Sequence, residues 1–240
     1  MSPESRERLP KRLIVALDVP SAEEAKRLLD RMGDAVGVVK IGLELFTAAG
    51  PDLVRWVRAS DKQVFLDLKL FDIGETVKRA TAVAADLGVM LFTVHAVGQI
   101  VRAAVEGRGG SPMKIVAVTV LTSFGDADLQ EAGVVESLPD TVLRRARLAV
   151  ASGADGVVAS GGETARLRVA LGHQPLIVVP GIRPIGSAPH DQIQVTTPAL
   201  AIAAGADYLV VGRPIRDAAD PAAAARAIQS EIAAALTHRG

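Results

Sequence analysis

The stretch Gln63-Val-Phe-Leu-Asp-Leu-Lys-Leu-Phe-Asp-Ile-Gly-Glu-Thr76 contains a strand, a charged strand end and the opening of a helix. Its first part, through Lys69, predicts a buried strand. Asp67 and Lys69 are two residues apart, so in a strand their side chains point to the same face. Asp72 follows, where the chain turns to open a helix. Three charges at a half-buried strand end are costly unless they are paired or used, so this segment is a candidate site; a structural ion-pair cluster is the alternative.

The same strand-then-helix pattern continues along the whole chain. The predicted strands are Leu13–Asp18, Gly37–Ile41, Gln63–Lys69, Leu91–His95, Lys114–Leu121, Gly156–Ser160, Leu176–Pro180 and Tyr208–Gly212. Helical stretches are expected to begin near Ser21, Leu43, Glu75, Val97, Pro139, Glu163, Thr197 and Pro221. Strict alternation predicts a parallel sheet, and eight units favour closure into a (β/α)8 TIM barrel, with residues 1–240 as a single domain.

An open, doubly wound sheet is the alternative fold. It usually has a glycine-rich turn after its first strand, whereas this first strand ends in Leu17-Asp18-Val19-Pro20. The barrel is therefore the favoured fold.

Composition narrows the class of protein. Hydrophobic residues make up 49% of the 240 residues and aromatic residues 3%, which suits a core of Val, Leu, Ile and Ala. The 27 basic and 27 acidic residues cancel, and no basic stretch with interleaved aromatics points to nucleic acid. We expect no signal peptide, and no membrane span, because no apolar run approaches about 20 residues. Cysteine is absent, so we expect a cytoplasmic protein.

Polar residues collect at the predicted carboxyl ends of the strands, where TIM barrels carry their chemistry. In chain order they are Asp18, Lys40, Asp67 with Lys69, His95, Thr122 with Ser123, Ser160, Arg183 in Pro180-Gly-Ile-Arg183, and Gly212-Arg213. Polar residues at so many strand ends favour an enzyme, since the catalytic residues of TIM barrels lie at these ends. His95 is an equally good candidate for a core histidine, and none of the four histidines has close metal-ligand spacing, so no metal site is predicted.

The last two units indicate a phosphate site. The loops after strands seven and eight of these barrels frequently bind phosphate. Arg183 and Arg213 could supply fork-shaped donors, and Gly181 and Gly212 would let backbone N–H groups approach an anion. The Pro-, Gly- and Ser-rich segment from Arg183 to Gln192 could be a lid over a ligand, or merely a long surface loop.

These residues resemble the orotidine 5′-monophosphate (OMP) decarboxylase family over essentially the whole chain. The resemblance rests on Ala16-Leu-Asp18, Val39-Lys-Ile-Gly42, Asp67-Leu-Lys-Leu-Phe-Asp-Ile73 with Thr76, Leu121-Thr-Ser123, Val179-Pro-Gly-Ile-Arg183, Asp191-Gln192, Thr197-Pro198 and Gly205-Ala-Asp-Tyr-Leu-Val-Val-Gly-Arg-Pro214. The chain departs from the family at Gly74-Glu75, Gly161-Gly162 and Gln194. These departures concern loops and remove no residue to which the family assigns chemistry.

The resemblance implies conversion of OMP to UMP and CO₂ in pyrimidine biosynthesis, without metal or organic cofactor. The implied catalytic residues are Lys69 as proton donor to C6, Asp67 and Asp72 flanking it, and Lys40 orienting the carboxylates. The implied substrate-binding residues are Asp18 and Lys40 at the ribose, Thr122 and Ser123 at the pyrimidine, Arg183, Gln192, Gly212 and Arg213 at the phosphate, and Asp67, Ile73, Thr76 and Pro180. The resemblance also implies a homodimer, with Asp72 and Thr76 contributed across its interface.

Three other functions remain open from the residues. A Mg²⁺-dependent sugar-phosphate decarboxylase or epimerase could use a similar Asp-x-Lys-x-x-Asp strand, although Lys40 would repel the metal ion. A Schiff-base aldolase could use Lys69 as its nucleophile. A barrel that binds nucleotide without catalysis is the third alternative.

Overall fold

The computed structural model describes residues 12–184 and 196–237, and these contain a closed barrel of eight parallel strands. The strands are β1 Leu13–Ala16, β2 Val38–Gly42, β3 Gln63–Leu70, β4 Leu91–His95, β5 Lys114–Val118, β6 Gly156–Val158, β7 Leu176–Val179 and β8 Tyr208–Val211. Each strand pairs with the next, and β8 pairs with β1, which closes the sheet. The TIM-barrel prediction is confirmed. That residues 1–240 form a single domain stays a prediction.

Helices follow the strands and cover the outside of the barrel. They are α1 Ala22–Met32, α2 Leu43–Ala59, α3 Gly74–Asp86, α4 Gly98–Arg108, α5 Asp126–Glu131, α6 Leu138–Ala151, α7 Thr164–Leu171, α8 Pro198–Ala204, α9 Arg213–Arg216 and α10 Pro221–Thr237, with 3-10 turns at Gly33–Ala35 and Gly161–Glu163. Ser21 caps α1 by accepting a hydrogen bond from the Glu24 backbone N–H at 3.2 Å, as its spacing predicts. Among the described residues, no helix is both long and apolar enough to cross a membrane.

Most strands end earlier than the sequence predicts. The largest difference is in β5, which stops at Val118, so the strand assignment of the next three residues, through Leu121, is wrong. The reason lies in the pairing partner, because β6 ends at Val158, the residue opposite Val118. The apolar residues beyond that point leave the sheet and become part of the barrel mouth.

The core has two layers. Inside the barrel, side chains from all eight strands pack together: Ile14, Ala16, Val38, Phe65, Leu91, Val116, Val118, Val158, Val178 and Val210. A larger layer fills the space between strands and helices. Because both faces of each strand are buried, the strand sequences are continuous apolar runs rather than alternating ones.

Two ion-pair clusters lie at the amino-terminal ends of the strands. Arg168 donates to the Gly205 carbonyl at 2.8 Å and to the Asp207 carboxylate at 2.5 Å. That carboxylate also accepts from the Ile177 N–H in β7 at 2.8 Å. The Asp155 carboxylate binds β5 in the same way. It accepts hydrogen bonds from Arg108 at 2.5 Å and from the Ile115 backbone N–H at 2.9 Å. Charged side chains that are buried or partly buried thus bind backbone groups at this end of the barrel, opposite the end that carries the polar candidates.

Candidate active site

A cavity of about 550 Å³ opens at the carboxyl ends of the strands, a size suited to a small-molecule ligand. The predicted site residues that line it are Asp18, Lys40, Asp67, Lys69, Thr122, Ser123, Pro180, Arg183, Gly212 and Arg213. They come from strand ends or loops all around the barrel. The structure therefore brings together most of the residues that the sequence selects.

Four charged side chains of alternating sign form a row across this cavity. Lys40 Nζ lies 2.8 Å from Asp18 Oδ1 and 3.7 Å from Asp67 Oδ2, and Lys69 Nζ lies 2.8 Å from the same Asp67 oxygen. The side chain of Asp67 is 10% exposed and that of Lys69 is 36% exposed. The row thus places a buried carboxylate beside an ammonium group that is open to the cavity. We call these four residues the charge row.

The backbone that presents Lys69 is not regular strand. Phe65 and Leu66 pair with Leu91 and Phe92, but Leu70 pairs with Val94, so the register shifts between Leu66 and Leu70. Lys69 has φ +50°, one of two non-glycine residues with positive φ in the described chain. Asp67 and Lys69 do lie on the same side, in contact with each other, but simple strand alternation, from which the sequence predicts this, is wrong for this segment. A bulge brings the two side chains together.

Thr93 was not selected from the sequence, although it lies directly beneath the charge row. Its side chain is fully buried in β4, and its Oγ1 donates to Asp67 Oδ1 at 2.9 Å. The same oxygen accepts from the Lys69 backbone N–H at 2.9 Å. The available signal was a hydroxyl residue within the apolar run Leu91-Phe-Thr-Val-His95.

The opposite side of the cavity is basic. Arg183 is 6% exposed and follows β7, where Ile182 forms a bridge with Thr196. Gly212 and Arg213 lie where β8 passes into α9. Of the described residues that line the cavity, five are basic and two are acidic, so the cavity favours an anionic ligand. Gln192 and the predicted lid segment beyond residue 184 lie outside the described residues.

Arg216 lines the cavity and is a second residue that the sequence analysis missed. Its Nη1 donates to the Asp18 carbonyl at 2.7 Å, and its Nε donates to Asp217 Oδ1 at 2.6 Å. The hydrogen bond to Asp217 raises the pKa of Arg216. A guanidinium one helical turn after Arg213 therefore stays charged beside the first strand end. The sequence signal was an Arg at each end of the short run Arg213-Pro-Ile-Arg216.

Three predicted residues lie outside the cavity of their own chain. Asp72 and Thr76 are exposed, and Ile73 is 76% exposed. Asp72 Oδ1 accepts from the Ile73 backbone N–H at 2.5 Å rather than contacting Lys69. Phe71, immediately before them, is 67% exposed. A single chain therefore does not bring this segment to the charge row.

His95 belongs to a separate, smaller cavity of about 200 Å³, which Phe71 and Arg145 also line. Its ring meets the Phe71 ring edge to face, with centroids 5.7 Å apart. Burial lowers the pKa of His95, and the positive charges of Lys69 and Arg145 lower it further. The lowered pKa keeps this imidazole neutral at pH 7. The structure thus places His95 half-buried and outside the cavity that contains the charge row.

The lowered pKa predicts how stability depends on pH. Below the ordinary histidine value of 6.5, the unfolded chain binds a proton at His95 more readily than the folded chain does. The contribution of neutral His95 to the free energy of unfolding is therefore fully present above pH 6.5, and it is lost as the pH falls below that value. We expect His95→Gln to reduce the loss of unfolding free energy between about pH 7.5 and about pH 5.5, measured by urea denaturation. His173→Gln, at an exposed position, is the control. An unchanged pH dependence in His95→Gln would refute this assignment.

The carboxylates are not grouped as metal ligands. Within the described parts of the chain, no cluster of three or more His, Cys, Asp or Glu side chains is placed to hold a metal ion. In the cavity, each carboxylate of the charge row instead has an ammonium group at 2.8 Å. These donors suit an anionic ligand better than a cation.

Comparison with known proteins agrees with this geometry. A family model described as "Orotidine 5'-phosphate decarboxylase / HUMPS family" matches residues 11–228. The orotidine 5′-phosphate decarboxylase of Rhodopseudomonas palustris (strain HaA2) is 55% identical over 224 residues, covering 93% of this chain and 95% of the relative. The one of Methylobacterium sp. (strain 4-46) is 55% identical over 227 residues, covering 93% and 96%.

A solved structure gives the same result. The orotidine 5′-phosphate decarboxylase of Lactobacillus acidophilus superposes with a TM-score of 0.82 at 38% identity, covering 92% of this chain and 98% of that one. The resemblance read from the motifs is thus confirmed. The chain belongs to the orotidine 5′-phosphate decarboxylase / HUMPS family.

Proposed function

We propose that this protein is an OMP decarboxylase, which converts OMP to UMP and CO₂ in pyrimidine biosynthesis. The observation that carries the proposal is the charge row, in which Lys69 Nζ is held 2.8 Å from Asp67 at the mouth of a cavity whose charged lining residues are mainly basic. Family membership and the relatives at 55% identity support the same substrate.

The cavity offers a place for each part of the nucleotide. Arg183, Gly212 and Arg213 would bind the phosphate. The two guanidinium groups can donate paired hydrogen bonds to phosphate oxygens, and the backbone N–H of Gly212 can come close to them because glycine has no side chain. Asp18 and Lys40 would bind the ribose hydroxyls. For the remaining parts of the substrate, Thr122, Ser123 and Pro180 would face the pyrimidine ring. This arrangement would place C6 of the ring and its carboxylate near Asp67 and Lys69.

The proposed reaction needs no electron acceptor. The bond between C6 and the carboxylate carbon breaks, its electron pair stays on C6, and CO₂ leaves. Lys69 delivers a proton to C6, which gives UMP, and the amine then recovers a proton from water. The ammonium group interacts more strongly with the developing carbanion than with neutral C6, which is the condition for lowering the barrier.

Repulsion by Asp67 is too weak to explain catalysis alone. Two carboxylates about 4 Å apart repel by on the order of 4 kcal/mol at an effective dielectric constant of about 20. Enzymes typically lower barriers by about 8–23 kcal/mol, and the loss of CO₂ to an unstabilised carbanion needs the upper part of that range. The remainder is assigned to the Lys69 ammonium and to binding energy from the phosphate, which holds the ring in place and excludes water.

A spectrophotometric assay of OMP turnover, with and without EDTA, tests the proposal. We expect full activity with the chelator, because Lys40 and Lys69 occupy the positions beside Asp67 where a Mg²⁺ ion would otherwise bind. Loss of activity in EDTA would favour the Mg²⁺-dependent sugar-phosphate enzyme. Trapping of a substrate adduct by borohydride would favour a Schiff-base aldolase. Binding of UMP without turnover of OMP would indicate a non-catalytic barrel.

We also propose a homodimer in which Asp72 and Thr76 enter the site of the other subunit. Two apolar side chains on this segment support the proposal, since Phe71 is 67% exposed and Ile73 is 76% exposed. Asp72 and Thr76, which lie beside them, do not line the cavity of their own chain. A second copy placed on this segment would bury these side chains and bring Asp72 to a charge row. The cytoplasmic location and the lack of a cofactor stay predictions.

The exchange of subunits between two inactive variants tests the shared site. We expect a mixture of Lys69→Ala and Asp72→Ala to recover about a quarter of wild-type turnover, because about half of the dimers are mixed and each has one intact site. As a control, Lys69→Ala mixed with Asp67→Ala should recover nothing, since both residues belong to the same chain's part of the site. The absence of recovery in the first mixture would contradict the cross-subunit role of Asp72.

A further inference from the structure

We propose that Thr93 is a positioning residue for decarboxylation, whose single hydroxyl holds both the Asp67 carboxylate and the backbone of Lys69. The inference rests on the proposed function, because it concerns how Lys69 meets the substrate. Thr93 itself does not line the cavity and would touch no substrate atom. It would act only through the two charged residues above it.

The strand register makes Thr93 the only β4 residue opposite the bulge. Leu66 pairs with Phe92 and Leu70 pairs with Val94, so three residues of β3 face one residue of β4. The Lys69 N–H in this segment donates to the Thr93 side chain at 2.9 Å. The hydroxyl thus supplies the acceptor that this N–H needs within the interrupted ladder.

The same hydroxyl fixes the carboxylate. A threonine hydroxyl has one proton to donate and lone pairs to accept. Because Oγ1 accepts from the Lys69 N–H, its own proton is directed to Asp67 Oδ1, 2.9 Å away. The other carboxylate oxygen, Oδ2, contacts Lys69 Nζ at 2.8 Å and lies 3.7 Å from Lys40 Nζ. With both oxygens occupied, the carboxylate plane cannot turn without breaking a contact.

The backbone of Lys69 explains why such a support is needed. Its φ of +50° lies in the left-handed region, which a lysine rarely adopts. A strained conformation persists only where its surroundings fix it, and it is characteristic of functional sites. The hydrogen bond from the Lys69 N–H to Thr93 is a contact that fixes it here. Loss of that bond would let the residue relax and move the ammonium group away from the reacting carbon.

The test compares variants that differ in the hydroxyl group. Thr93→Val keeps the shape and removes the hydroxyl, while Thr93→Ser and Thr93→Ala form a pair that differs by the hydroxyl alone. Thr81→Val is the matched control, since Thr81 is also fully buried and donates to a backbone carbonyl, that of Val77, at 2.7 Å in α3. The measurements are kcat and KM for OMP, the Kd for UMP, and the urea midpoint of each variant.

We expect kcat to fall about 10²-fold in Thr93→Val and Thr93→Ala, the size expected for a misplaced catalytic group, while the Kd for UMP changes little. Thr93→Ser should stay close to wild type, and so should Thr81→Val. A role in folding alone would instead move the urea midpoint and leave kcat of the folded enzyme intact.

Three results would overturn the inference. One is a normal kcat in a folded Thr93→Val. Another is equal loss in Thr93→Ser and Thr93→Ala, which would assign the effect to the methyl group; this pair decides the matter if Thr93→Val does not fold. The third is a wild-type protein that does not turn over OMP, which refutes the proposed function and this inference with it. Wild-type turnover with unaffected variants refutes the inference alone.

Discussion

Lys69→Ala is expected to lower kcat/KM for OMP by about 10⁴-fold or more while UMP still binds. In the proposed mechanism the ammonium would both deliver a proton, a contribution of about 10²- to 10⁴-fold, and stabilise developing charge, worth about 10²- to 10³-fold in comparable sites. UMP affinity would depend mainly on the proposed contacts at the phosphate and ribose, which this substitution leaves in place. Turnover is measured by absorbance and by chromatographic detection of UMP, and binding by calorimetry.

Lys114→Ala is the matched control for this substitution. Lys114 is also a strand lysine paired with an aspartate, Asp155, at 3.1 Å, but it lies at the opposite end of the barrel, at the start of β5. We expect its kcat/KM to equal that of the wild type. If Lys69→Ala retained turnover within about 10-fold of the wild type, the assignment of Lys69 as proton donor would be wrong.

Arg213→Ala is expected to lower kcat/KM by about 10²- to 10³-fold, equivalent to about 3–4 kcal/mol. The guanidinium would bind the phosphate, and that binding energy would be used to hold the reacting ring beside the charge row. Turnover should therefore suffer as well as affinity. Steady-state kinetics with OMP, which separate kcat from KM, measure the two effects.

The use of phosphate binding energy can be tested with a divided substrate. Orotidine lacks the phosphate, and we expect added phosphite to speed its decarboxylation by the wild type but not by Arg213→Ala. Arg55→Ala, which removes an exposed arginine paired with Asp52 on α2, should leave both activities unchanged. Equal activation by phosphite in Arg213→Ala would show that Arg213 does not transmit this binding energy.

The fold could be predicted because each strand has a chemical signature. Strands buried on both faces are mainly apolar runs, and each of the eight predicted runs overlaps a strand of the structure. The short helices Asp126–Glu131 and Arg213–Arg216 were missed because six and four residues are too few to show helical periodicity. Strand ends were misplaced where apolar residues line the cavity instead of pairing.

The site could be predicted in its residues but not in its geometry. Charges at strand ends are conspicuous because they are costly there, so the charge row was found. The positive φ of Lys69 could not be predicted, since nothing in a lysine side chain indicates a left-handed backbone. Thr93 was overlooked because threonine is common in strands. The proposed role of Asp72 requires a second chain, which the sequence of one chain does not place.

The ion pairs that bind strand N–H groups through Asp155 and Asp207 have a consequence for how this barrel can change. They hold the sheet together at the end of the barrel opposite the cavity, so we expect the segments that border the cavity to contribute less to the folding free energy. Chimeras that exchange those segments with a relative should therefore refold with nearly the parental melting temperature. New specificity can then arise by grafting, without compensating changes in the scaffold.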